Sequence, residues 1–66
     1  MQERTKATLQ PGQRYRHRYG AWWLCLEDLG DGVYLMQQEQ GNNLLRIYNP
    51  VITDNGGLGW TYSVPA

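Results

Sequence analysis

Sixty-six residues, 41% hydrophobic and 18% charged with no net charge at pH 7, allow one domain near the lower size limit for folding without staples. One cysteine and one histidine exclude an internal disulfide framework and a cysteine-rich zinc site, and the balanced charge argues against a dedicated polyanion binder. No apolar run approaches the roughly 20 residues of a membrane-spanning helix and no signal-peptide pattern is present, so the lone thiol points to a soluble protein of a reducing, cytoplasmic compartment.

Residues 1–10 lack alternation and are predicted to form a flexible N-terminal arm, ended by the turn signal Pro11-Gly12. Residues 11–66 are then one small β domain. Its first strand is expected over 13–19. At a period of two, Tyr15, His17 and Tyr19 point one way, and Arg14, Arg16 and Arg18 the other. Gly20 permits a bend or bulge before a second strand over 21–28. There Trp22, Leu24 and Leu26 share one face, and Trp23, Cys25 and Glu27 the other.

Leu29-Gly30-Asp31-Gly32 supplies the glycines of a hairpin turn into a third strand over 33–38. A turn at 40–43 leads to a fourth strand over 44–48, stopped by Asn49-Pro50, with Val51-Ile52 continuing as an edge. The last strand is expected over 59–64, with Trp60, Tyr62 and Val64 inward. No segment keeps helical apolar spacing. Five short strands separated by glycine turns predict an all-β fold, a small five-stranded SH3-like barrel or half-barrel. Three tryptophans and five tyrosines, without phenylalanine, are the material for its core.

Charge is segregated along the chain. Residues 1–18 carry five cationic side chains against Glu3, and residues 19–66 carry Arg46 against five carboxylates. Such asymmetry suits an anionic partner, or a head-to-tail contact between copies. Arginines neutralise phosphates and tyrosines offer stacking faces, but a regular strand would hold the two on opposite sides. His17 would be the one side chain able to act as acid or base near neutral pH, yet no motif sets a nucleophile or an orienting carboxylate beside it. Cys25, between Leu24 and Leu26, reads as an inert core thiol, and Glu27, Asp28 and Asp31 as an exposed acidic turn too short in spacing for a calcium loop. Adjacent Trp22 and Trp23 cannot both enter one core.

Pro11-Gly12, Tyr15-Arg16-His17, Gly20, Leu45, Tyr48 and Gly57-Leu58-Gly59-Trp60 resemble a group of short bacterial domains that open with Pro-Gly and Tyr-Arg-His and carry a late Trp. The resemblance implies a compact β-rich domain and brings no activity with it. Gly12-Gln13-Arg14-Tyr15-Arg16, Gly20-Ala21, Trp23 and Ile47-Tyr48 before Pro50-Val51 are similar to the plasmid-borne trimethoprim-resistant dihydrofolate reductases. Those are SH3-like tetramers with a pore lined by Val-Gln-Ile-Tyr. Here Leu45-Arg46-Ile47-Tyr48 stands in that place, with Arg46 where the pore glutamine would be.

The sequence is therefore read as a non-enzymatic interaction module with no catalytic, metal or cofactor site. Arg14, Arg16, Arg18, Tyr19 and Trp23 are its expected contact set for a protein partner. A weak nucleic-acid-binding barrel and an oligomeric reductase-type enzyme are the alternatives, and self-association stays open.

Overall fold

The computed structural model describes residues 5–66. Within them the chain is all-β, with two antiparallel sheets and no helix, so no helix among these residues is long and apolar enough to cross a membrane. The strands are β1 (Thr5–Lys6), β2 (Arg14–Arg16), β3 (Trp22–Gly30), β4 (Val33–Gln38), β5 (Leu44–Tyr48), β6 (Val51–Ile52), β7 (Leu58–Gly59) and β8 (Tyr62–Pro65). The order β2-β3-β4-β5-β8 makes the large sheet, and β1-β6-β7 the small one.

The expected third and fourth strands appear as β4 and β5 at their expected bounds. The hairpin between β3 and β4 turns at Asp31 and Gly32, both with positive φ (56° and 78°), as a two-residue turn matched to strand twist requires. Asp28 Oδ1 accepts the Gly30 N–H at 3.0 Å and closes this end.

The core lies between the sheets. From the large sheet Trp23, Cys25, Tyr34, Met36 and Ile47 turn inward, every second residue of their strands. Leu58 of β7 and two residues after β1, Ala7 and Leu9, cover them. Burial pushes the Cys25 thiol above its ordinary range, and Asp28 adds to this against a backbone hydrogen bond that lowers it. The inert-thiol reading fits that position.

Four expectations are corrected. The N-terminal arm is docked from Thr5 onward: β1 pairs with β6, the Ala7 N–H donates to Pro50 O at 2.9 Å, and the Gln10 N–H donates to Tyr15 Oη at 2.8 Å. Ala7 and Leu9, two residues apart, are both buried and give this stretch an apolar side. Met1 to Arg4, the rest of that arm, lie outside the described residues. Val51-Ile52 is the middle strand of the small sheet, not an edge, because Pro50 turns the chain out of the large sheet and into a second ladder. The last strand is split into β7 and β8, and Tyr62, 59% exposed, and Val64, level with Arg46 in the register, both lie on the outer face. The first strand stops at Arg16, because a tight turn at 17–20 replaces its second half, with the Gly20 N–H donating to His17 O at 2.7 Å.

Chain continuity through Asn49-Pro50 joins β5 to β6, and one parallel bridge joins His17 to Leu58. No closed barrel forms.

Candidate functional site

The basic segment is held by a clamp at its far side. The loop 53–57 folds on itself, with Thr53 N–H donating to Gly57 O and Gly57 N–H to Asn55 Oδ1. Asn55 Nδ2 then donates to Arg18 O at 3.0 Å, and the Arg18 N–H donates to Leu58 O at 2.9 Å. The approach is close: a Cβ at Gly57 would stand 2.6 Å from Arg18 Cα. Only glycine lets the two backbones meet there.

This clamp decides where the side chains of 16–19 go. Strand alternation ends before Arg18, so Arg18 and Tyr19 emerge side by side from the turn. An Arg18 guanidinium nitrogen donates to Tyr19 Oη at 2.6 Å, and Arg18 Cζ lies 4.8 Å from the Tyr19 ring centre. Tyr19 is 79% exposed. The opposite-face arrangement expected from alternation is thereby corrected, since a turn, not a strand, carries these two residues. Arg16, His17, Arg18 and Tyr19 line a shallow cleft of about 380 Å³ with Asn55 to Gly57.

His17 is half-buried behind them. Its Nδ1 accepts the Tyr19 N–H at 3.2 Å, and its ring tilts against Tyr19 (5.2 Å) and Trp60 (4.8 Å). Trp60 in turn meets Trp23 edge-on at 5.6 Å, so a file of rings runs from the exposed tyrosine to the core. Burial, followed by the charge of Arg18, lowers the His17 pKa below its ordinary 6.5. The unfolded chain therefore binds the proton more readily than the folded one, and this contribution to stability is present above pH 6.5 and fades as pH falls through the folded pKa. Thermal midpoints measured from pH 7.5 down to 5 are expected to decline, with a shallower decline in His17→Gln. Equal slopes in the two proteins would assign the dependence to other groups.

Arg14 takes a different role from the other arginines. It makes a two-pronged ion pair with Glu39, one bond being 3.0 Å, and its Cζ sits 4.5 Å over the Trp22 ring. The hydrogen bond from Arg14 holds the Glu39 carboxyl below its ordinary range, and Glu39 raises Arg14. Both are exposed, so the pair adds little stability, but it cancels one positive charge of the basic strand.

Of the expected contact set, Arg16, Arg18 and Tyr19 come together, and Arg14 is adjacent but neutralised. Trp23 is a correction: it is 7% exposed and belongs to the core, because β3 turns its odd-numbered residues inward there. Trp22 is the exposed indole, at 41%, and stands opposite Arg16 in the β2–β3 register. Nothing in the order of residues marks Glu39, Asn55, Gly57 and Trp60 as neighbours of the basic segment. Asn55-Gly56-Gly57 carried the only local sign, a turn composition that says nothing of where the loop docks. In the strand that resembles a reductase pore, Ile47 is fully buried while Arg46 is exposed.

Among known proteins, no family model, no curated sequence and no solved structure matches this chain.

Proposed function

We propose that the chain is a non-enzymatic interaction module of SH3-like half-barrel type that binds an acidic segment of a protein partner. Arg16, Arg18, Tyr19 and Trp22 form the contact set. The observation that carries this reading is the Arg18–Tyr19 pair, an exposed aromatic ring with a guanidinium already placed on it. Groups held in position before binding lose less entropy on contact, and aromatic and arginine side chains supply most of the energy at protein interfaces. The clamp at Gly57 keeps the backbone beneath them fixed. The half-barrel part of the proposal draws on the bent passage from β5 to β6, and on the His17–Leu58 bridge, which sets the β2 edge of the large sheet beside the β7 edge of the small one.

A second reading, weak binding of single-stranded nucleic acid, draws on the same pair, because the turn puts a stacking face and a cation on one side. With Arg14 neutralised, about two arginines are left for phosphates, and the affinity should then fall with a log–log salt slope of only about −1.4.

An amide NMR titration tests both, using a poly-glutamate peptide and a short single-stranded oligonucleotide at low and moderate salt. Peptide-induced shifts confined to 16–22 and 55–57, and lost in Arg16→Glu/Arg18→Glu with core amides unmoved, are expected. Shifts that survive the double charge reversal, or an inert spectrum, would overturn the proposal. A response to the oligonucleotide alone would replace it with the second reading.

A further inference from the structure

We propose that the outer face of the five-stranded sheet docks a second copy of this chain, sheet against sheet, about a two-fold axis running along β4. This goes beyond the partner reading, whose contact set sits at the 16–20 turn and at Trp22 on the β2 side of the same sheet, because the dimer contact is centred on β4.

Tyr34, Met36 and Ile47 are buried inward, so Leu35, Arg46 and Tyr48 lie on the opposite side of the sheet. The registers set Glu27, Leu35, Arg46 and Val64 in one row across β3, β4, β5 and β8. Leu24, Gln37 and Leu44 form the row on one side, and Val33, Tyr48 and Tyr62 the row on the other. A sheet with one face in water normally alternates apolar inward and polar outward. This one keeps an apolar stripe on both sides, with Leu44 at 40% exposure and Tyr62 at 59%. A contiguous patch of that kind marks an interaction surface.

Charge identifies the occupant. Glu27 and Arg46 flank Leu35 on neighbouring strands, about 9–10 Å apart across the ladder, and both are exposed. Among the described residues the one ion pair is Arg14–Glu39, so neither has a partner of opposite charge within those residues. Rotation by 180° about β4 lays β3 of one copy over β5 of the other. Leu35 then faces Leu35, and Glu27 faces Arg46 twice over. Packed sheets stand about 10 Å apart, a gap that a glutamate and an arginine reaching from opposite sides can span. A foreign segment of one sign would gain from one of these charges and be repelled by the other. A second copy satisfies both, as a two-fold contact of a patch with itself does.

The face is about 24 Å by 15 Å, a footprint of about 360 Å² per copy, which is the size of a weak, transient contact, so the dimer is expected to dissociate on the order of 100 μM. Sedimentation of the full chain from about 10 μM to about 1 mM, in low salt, is the test. Wild type is expected to rise from 7.6 kDa toward twice that mass. Glu27→Arg and Arg46→Glu should each stay at the monomer mass, while an equimolar mixture of the two, or the double variant, associates again. Leu44→Glu, at an exposed site of the same face, should also stay monomeric. Near-UV circular dichroism of the tryptophans checks that each variant keeps its fold. Wild type at the monomer mass at the highest concentration, or single variants that associate as wild type does, would overturn the proposal.

Discussion

Replacing Leu9 with alanine is expected to lower stability by about 2–5 kcal/mol, the range for a leucine truncated in a packed core. Leu9 is only 2% exposed and packs with Trp23, Cys25, Met36 and Leu58 in one cluster. A chain of 66 residues has a total stability on the order of 3–10 kcal/mol, so this single change removes a large share of it. At about 4–8 °C per kcal/mol for a domain of this size, the thermal midpoint should fall by at least about 8 °C. Denaturant unfolding followed by tryptophan fluorescence measures it. A loss below about 0.5 kcal/mol, the usual scale of a surface change, would mean that residues 5–10 do not belong to the core. Thr8→Ala, exposed between the two buried residues of this segment, is the matched control and should be close to neutral.

Gly57→Ala should have the next largest effect, and a different kind of effect. The added methyl would stand 2.6 Å from Arg18 Cα and 2.9 Å from Arg18 N, and these are backbone atoms that cannot rotate away. Either the loop 53–57 or the turn 17–20 must move, which weakens the Arg18–Leu58 and Asn55–Arg18 hydrogen bonds together. Overpacking of this kind costs about 1–3 kcal/mol. The informative readout is local: amides of 17–20 and 55–58 should shift, while those of β4 and β5 hold their positions. Gly56→Ala separates the causes. Gly56 has a φ of 84° and open space around it, so an alanine there meets only left-handed strain of about 1–2 kcal/mol. Should both variants leave the 17–20 amides unchanged, the clamp does not position the basic turn. If Gly57→Ala shifts that turn and also weakens acidic-peptide binding, the contact set depends on its fixed backbone.

Part of this molecule was legible from residue order. Strands β4 and β5 lie within a few residues of each other in sequence, and period-two patterning with glycine or asparagine turns specifies them locally. The placement of Cys25 in an apolar strand was legible for the same reason. The basic-aromatic stretch was legible as a composition, but its geometry was not. Alternation is a rule for regular strands, and the turn at 17–20 is stabilised by a loop some 37 residues further along. Nothing local to Arg18 and Tyr19 announces that Gly57 will press against their backbone.

The two tryptophans show the same division. Residue order required that Trp22 and Trp23 point to opposite sides of one strand. Which of them enters the core depended on the partners waiting there: Trp60 edge-on to Trp23 inside, and Arg14 with Glu39 over Trp22 outside. Residues 5–10 carried too few apolar side chains to announce a strand. Ala7 and Leu9 find their place only because Pro50 turns β6 toward them and leaves a ladder edge to pair with.

By itself, then, the sequence determined an all-β chain, its central hairpins, the unpaired buried thiol and the segregation of its charges, because each follows from local periodicity, turn chemistry or simple counting. Only the tertiary structure decided that the strands divide between two sheets, that Trp22 rather than Trp23 is exposed, and that Arg18 and Tyr19 share a surface while Glu39 neutralises Arg14. Those outcomes depend on contacts between residues far apart in the chain, and pairing at a distance leaves no mark on the spacing of neighbours.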